Sequence, residues 1–163
     1  MFFDRSAQPG QHRPLLAFLL LTLLVGAAGT FFTEPSIPTW YAGLAKPGFN
    51  PPNWVFAPVW TTLYVLMGIA AWRVWRVTGL NSPEMFAWGL QLTLNFFWSA
   101  IFFAAHLILA ALVEMALLWL MILVTMILFW RKDRIAGLLF VPYLAWVSFA
   151  FALNFAIWRL NGS

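Results

Sequence analysis

The chain has 163 residues, 63% of them hydrophobic and 9% charged, with a net charge of +4 and a mean hydropathy of +0.85. So little charge cannot cover a soluble domain of this length, and runs of about 20 apolar residues, enough to cross a bilayer, recur along the chain. Absence of cysteine excludes disulfides, thiolate metal sites and cysteine nucleophiles, and the scattered basic residues at segment ends are topology determinants rather than a nucleic-acid surface.

Residues 1–13 are polar and read as a frayed tail. The first apolar segment runs from about Leu15 to Phe32. Arg13 before it and Gly26-Ala27-Ala28-Gly29 near its end imitate a secretory leader, but the run continues through Phe31 and Phe32, so it reads as a retained span. Residues 33–53 then hold Pro35, Pro38, Pro47, Pro51 and Pro52, half of the ten prolines. That density predicts no continuous helix, only a short piece over Thr39–Ala45 with Thr39 as its N-cap. Trp40, Tyr41 and Phe49 make this stretch an ordered loop lying over one membrane face.

The second span is expected over about Trp54–Val77, with Asn53 as N-cap and Pro58 near the first turn, where a missing N–H costs little. A turn over Thr78–Pro83 follows, with Ser82 capping a third span of about Glu84–Ala105. The fourth runs over about Leu107–Trp130, the charged turn Arg131–Arg134 is very short, and the fifth covers about Ile135–Leu160. Short connections force antiparallel neighbours. The expected fold is thus an all-α membrane protein: a single domain of five transmembrane helices with a structured loop between helices 1 and 2. No internal repeat is evident, which weakens an inverted-repeat transporter reading.

Five spans put the N-terminus and the second and fourth loops on one side. That side holds Arg5, Arg13, Arg73, Arg76, Arg131, Lys132 and Arg134, and the other holds Lys46 and Arg159, completing the nine basic residues. The positive-inside rule places the N-terminus in the cytoplasm, with loop 1 and the C-terminus outward.

Tryptophan depth separates anchors from interior residues. Trp40, Trp54, Trp72, Trp75, Trp88, Trp130 and Trp158 lie in loops or near span ends, where indoles suit the headgroups. Trp60, Trp98, Trp119 and Trp146 remain, and they need core packing or a ligand. At about 1.5 Å per residue, Trp60 lies about two turns below the outer face and Asn95 near mid-membrane. Trp98 sits one turn above Asn95, and Trp146 near the middle with Ala150 and Leu153 on its stripe. Gly26, Gly29 and Thr30 reach similar height. These positions converge beneath the proline-rich loop, either as a pocket for a flat apolar ligand or as plain helix packing. Asn95 needs a polar partner, from a ligand or from another helix.

At these residues the chain resembles a known family. The run Lys46-Pro-Gly-Phe-Asn-Pro-Pro-Asn-Trp-Val-Phe-Ala-Pro-Val-Trp-Thr-Thr-Leu-Tyr64, with Trp40, Tyr41 and Leu44 upstream, is similar to the loop 1–helix 2 signature of the translocator protein family (tryptophan-rich sensory proteins, TspO/MBR). Val141-Pro-Tyr-Leu-Ala-Trp146 and Leu153-Asn-Phe-Ala-Ile-Trp-Arg159 resemble its helix 5. The resemblance implies a five-helix bundle, usually a homodimer in a bacterial or organelle membrane, that binds protoporphyrin IX and haem. Eukaryotic relatives also bind cholesterol, isoquinoline carboxamides and benzodiazepines. By position, Trp60 and Trp146 match tryptophans implicated in porphyrin breakdown, Tyr41 and Pro51 match lid residues, and Asn95, Ala150 and Leu153 match pocket walls. Two positions depart. Gly48-Phe49 stands where some bacterial members have Trp-Trp, and Phe155 stands where the sterol-recognition pattern has Tyr, which argues against sterol binding.

Three functions follow. A receptor would stack a tetrapyrrole against Trp60, Trp98 and Trp146, with Lys46 and Phe49 at the rim and no cofactor or metal required. An enzyme would degrade protoporphyrin with light and oxygen, Trp60 and Trp146 acting as electron partners. No acid–base pair supports ordinary catalysis, and His12 and His106 read as solvated. A transporter of tetrapyrrole or sterol would need intramembrane charge, for which Glu114 is the candidate, although Glu114 reads more simply as paired with a neighbouring helix or snorkelling outward. Ala100 and Ala104 on helix 3 have the small-xxx-small spacing of a dimer face.

Overall fold

The computed structural model describes residues 12–162. Residues 1–11, with Arg5 and most of the tail, lie outside the described residues. Within them the chain is helical with no strand, and five helices are long and apolar enough to cross a membrane: His12–Tyr41, Asn53–Thr78, Pro83–Ala104, Ile108–Lys132 and Arg134–Asn161. The chain is an integral multi-pass membrane protein.

The first span departs from expectation. Helix α1 (His12–Thr33) does not stop at the prolines but continues through a tight 3₁₀ turn, Glu34–Ser36, and a wide π turn, Ile37–Tyr41. Pro35 and Pro38 each fall at the start of one of these turns, where the N–H that proline lacks is not used. Thr39 therefore caps nothing. Its hydroxyl donates back to the Pro35 carbonyl at 2.9 Å, inside the helical run. The true loop is shorter than expected, and it ends in a 3₁₀ turn, Asn53–Val55, that leads into α2 (Phe56–Thr78) with no side-chain cap.

Helix α3 (Pro83–Ser99) opens as expected, with Ser82 Oγ accepting the Met85 N–H at 3.3 Å. Its last part is not α-helical. Ala100–Ala104 forms a second π turn, closed by the Ala105 N–H on the Ala100 carbonyl at 2.9 Å. His106 then takes a left-handed φ of 58°, which lets the chain reverse in a very short connection to α4 (Ile108–Lys132). The reversal lays the His106 ring flat on Trp40, 4.2 Å between centroids, so this histidine is packed on one face rather than simply solvated.

The fifth span is two helices, α5 (Arg134–Leu139) and α6 (Val141–Asn161), broken at Phe140. Pro142 has no N–H to carry the ladder across the break, and the ladder resumes with Leu144 on the Phe140 carbonyl at 2.9 Å. The charged turn narrows to Asp133. Its Oδ1 accepts the Ile135 and Ala136 N–H groups, and its Oδ2 meets Arg73 at 2.8 Å. Lys132 meets Glu84 at 3.5 Å, so spans two to five are tied together at this end.

Packing is close where glycine allows it. A Cβ on Gly137 would lie 2.8 Å from the Trp130 Cα, and one on Gly26 would lie 2.5 Å from the Tyr64 ring. The core runs between the spans from Phe18, Met67 and Val74 to Phe129, Phe140 and Tyr143. Trp88 belongs to it: buried, and 5.5 Å edge-on to Phe18, it is interior packing and not the interface anchor its position suggested.

Candidate ligand site

At the loop-1 end the spans separate around a cavity of about 420 Å³. Its wall draws on all five spans. Trp60 on α2, Trp98 on α3 and Trp146 on α6 contribute to it together, with Gly26, Gly29 and Thr30 of α1 opposite and Tyr41 from the first π turn above. Trp60, Asn95, Trp98 and Trp146, at similar depth on three spans, thus surround one space. Ala150 and Leu153 continue the Trp146 stripe into the wall.

Each indole is held differently. Trp60 lies 5.8 Å from Tyr64 and 6.3 Å from Tyr143, between α2 and α6. Trp146 meets Phe56 at 5.8 Å and Phe149 at 5.3 Å, and its buried Nε1 has no acceptor among the described residues. Trp98 stacks on Phe102 at 5.2 Å and donates to Asn154 Oδ1 at 3.3 Å, so one face and its N–H are already used. Trp119 is not in the wall; it donates to Ser148 Oγ at 2.8 Å and joins α4 to α6.

The mid-membrane amide found its partners in the protein. Asn95 Oδ1 accepts the Tyr64 hydroxyl at 2.6 Å, and its Nδ2 donates to the Tyr143 oxygen at 2.8 Å. Tyr143 in turn donates to Gln91 Oε1 at 2.9 Å. This network joins α2, α3 and α6, and its members in the cavity wall, Asn95 and Tyr64, are hydrogen-bonded to each other. Most of what the cavity offers a ligand is apolar surface, beside the unpartnered Trp146 Nε1.

None of residues 42–52 of the loop lines the cavity, which the loop borders only through its two ends, Tyr41 and Asn53. Tyr41 reaches the wall, and its hydroxyl donates to Asn50 Oδ1 at 3.0 Å. Pro51 lies outside the wall and accepts the Asn50 amide through its carbonyl at 3.2 Å. Phe49, also outside, is exposed and packs edge-on against Phe149 at 6.2 Å. Lys46 is likewise outside the wall. Its ammonium donates to the Leu44 carbonyl at 3.1 Å and lies 4.6 Å from the Tyr41 ring centre. The loop is pinned to the far end of the chain by Asn161, which accepts the Ala45 N–H and donates to the Ala45 carbonyl, both at 2.9 Å.

Several wall residues were not singled out from sequence: Glu34, Asn53, Phe56, Tyr64, Phe102 and Asn154. Helical spacing carried a signal for two of them, because Tyr64 follows Trp60 by one turn and Phe102 follows Trp98 by one turn. Glu114 neither pairs nor snorkels. It is 8% exposed, both carboxylate oxygens lack partners among the described residues, and it is outside the cavity wall. Ala100 is half-buried and Ala104 exposed, both in the second π turn. No group of three or more His, Cys, Asp or Glu residues suited to a metal occurs among the described residues.

Comparison with known proteins adds a family. The model of the TspO/MBR family matches residues 18–159. The chain is 45% identical over 148 residues to the tryptophan-rich protein TspO of Archaeoglobus fulgidus, covering 90% of this chain and 96% of that one. It is 40% identical over 144 residues to a tryptophan-rich sensory protein of Cereibacter sphaeroides, covering 88% and 90%. With the human translocator protein it shares 38% identity over 152 residues, covering 91% and 90%.

Proposed function

The chain belongs to the TspO/MBR family of membrane sensory and translocator proteins, and we propose that it is a receptor that binds porphyrins, such as protoporphyrin IX or haem, in the cavity beneath loop 1. Binding then regulates tetrapyrrole handling or a stress response. The observation that carries this reading is the meeting of Trp60, Trp98 and Trp146, from three different spans, in the wall of one cavity. A flat macrocycle gains most where indoles present broad apolar faces at about 25 cal/mol per Å² buried. Compact isoquinoline carboxamide or benzodiazepine ligands suit the same apolar volume.

Haem and porphyrin are ligands here, and the reading requires no resident cofactor. Basic residues concentrated at the Arg73–Arg134 end support a cytoplasmic N-terminus, with loop 1 and the C-terminus outward, in a bacterial membrane. A homodimer would form through the face carrying Ala100 and Ala104, where small side chains permit close approach.

A second reading draws on the same two indoles. Trp60 and Trp146 would donate electrons to photo-excited protoporphyrin, with oxygen as oxidant, making the protein a degrading enzyme. One experiment weighs both. Protoporphyrin IX is titrated in the dark, then the complex is illuminated while pigment and protein are both quantified. Saturable dark binding supports the receptor. Pigment loss over many turnovers with intact protein supports the enzyme, and pigment loss matched by protein bleaching marks stoichiometric damage.

A further inference from the structure

The cavity has a side opening, and its chemistry favours one kind of ligand edge. The exposed residues of its wall are Leu23, Ala27, Thr30 and Glu34 of the first span and Asn53, Ala57 and Thr61 of the second, whereas those from spans three to five are buried or half-buried. The mouth therefore lies between the first and second spans. Small side chains line its middle, and Glu34 and Asn53 flank its loop-1 end.

Glu34 is the one acidic or basic side chain in the wall. It sits in the 3₁₀ turn that ends α1, fixed by Pro35 beside it, and has no ion-pair partner among the described residues. Lys46, the cation expected at the rim, is outside the wall, with its ammonium held against the Leu44 carbonyl and the Tyr41 ring. The deeper polar groups, Asn95, Tyr64 and Asn154, are hydrogen-bonded within the protein. At the mouth, then, a ligand meets a carboxylate with no ion-pair partner among the described residues.

We infer that Glu34 is a specificity-determining residue, selecting flat apolar ligands whose mouth-facing edge is neutral, hydrogen-bond-donating or cationic, and opposing those that bring a carboxylate there. This rests on the cavity being the ligand site. Applied to tetrapyrroles, it means that a dicarboxylic macrocycle binds with its acid groups turned away from α1, and that neutralising those groups improves binding. The carboxylate is exposed, so its influence is that of a screened surface charge, about two- to five-fold in affinity.

The test compares protoporphyrin IX with its dimethyl ester, titrated into detergent-solubilised full-length protein as wild type, Glu34→Gln and Glu34→Lys. The reading is the ratio of the two dissociation constants, diacid over ester, so that micelle partitioning of each pigment cancels between variants. The ratio should fall about two- to five-fold from wild type to Glu34→Gln, and fall again in Glu34→Lys, with smaller steps at high salt. A ratio unchanged across all three proteins, with both pigments still bound, would overturn the role of Glu34 and leave the cavity reading intact. Failure of the wild type to bind either pigment would remove the cavity reading and this inference together.

Discussion

Replacing Tyr143 with Phe removes one oxygen from the centre of the buried network and breaks two bonds at once. Tyr143 is fully buried, accepts from Asn95 at 2.8 Å and donates to Gln91 at 2.9 Å. Interhelical hydrogen bonds in membranes average about 0.6 kcal/mol and reach about 1.7. Two lost bonds therefore cost about 1–3 kcal/mol, with the upper part of that range expected because Gln91 is fully buried. The aromatic ring is retained, so packing against Phe140 and Trp60 is preserved. Tyr64→Phe removes a single bond to the same amide and should cost about half as much. The assay is equilibrium unfolding in mixed micelles, followed by tryptophan fluorescence. Because both tyrosines share Asn95, the double variant should deviate from additivity by more than about 0.5 kcal/mol. Wild-type stability in Tyr143→Phe, or strict additivity in the double variant, would show that the network does not hold α2, α3 and α6 together.

Other outcomes follow from single contacts. Ala150→Leu adds bulk to the cavity wall and should weaken protoporphyrin binding about ten-fold or more, with little change in unfolding midpoint because the added atoms enter open space. Asn161→Ala removes both bonds to Ala45 and should accelerate amide hydrogen exchange over residues 42–50, with helices α2 to α4 unaffected. Ala104→Leu should shift the proposed homodimer toward monomer when the detergent-solubilised proteins are compared in sedimentation, and an unchanged distribution would remove this face as the dimer contact.

Span number and connection were legible because apolar runs of bilayer length are separated by short polar turns, and lipid tolerates little else. The cavity was legible for a similar reason. Helical rise is fixed, so Trp60, Asn95, Trp98 and Trp146 could be set at common heights before any contact was known. Where helices departed from α geometry, sequence reasoning lost its ruler. Pro35 and Pro38 suggested an early end to the first helix, but 3₁₀ and π turns carried it to Tyr41. Ala100–Ala104 carried no such warning, whereas Pro142 marked the break at Phe140 and was read through as part of one continuous span. Trp88 was misplaced because position along a span indicates height but not azimuth, and its ring turns inward onto Phe18. Glu34 was passed over for the same reason: its charge was visible, its place in the cavity wall was not.

The central claim is that the indoles of Trp60 and Trp146 flank the ligand. Its most direct measurement is a dark titration of protoporphyrin IX, read from the pigment's own absorbance, against wild type, Trp60→Phe, Trp146→Phe and Trp119→Phe. Weaker binding in the first two variants, with Trp119→Phe indistinguishable from wild type, is the predicted result. Equal affinity in all four proteins would contradict it.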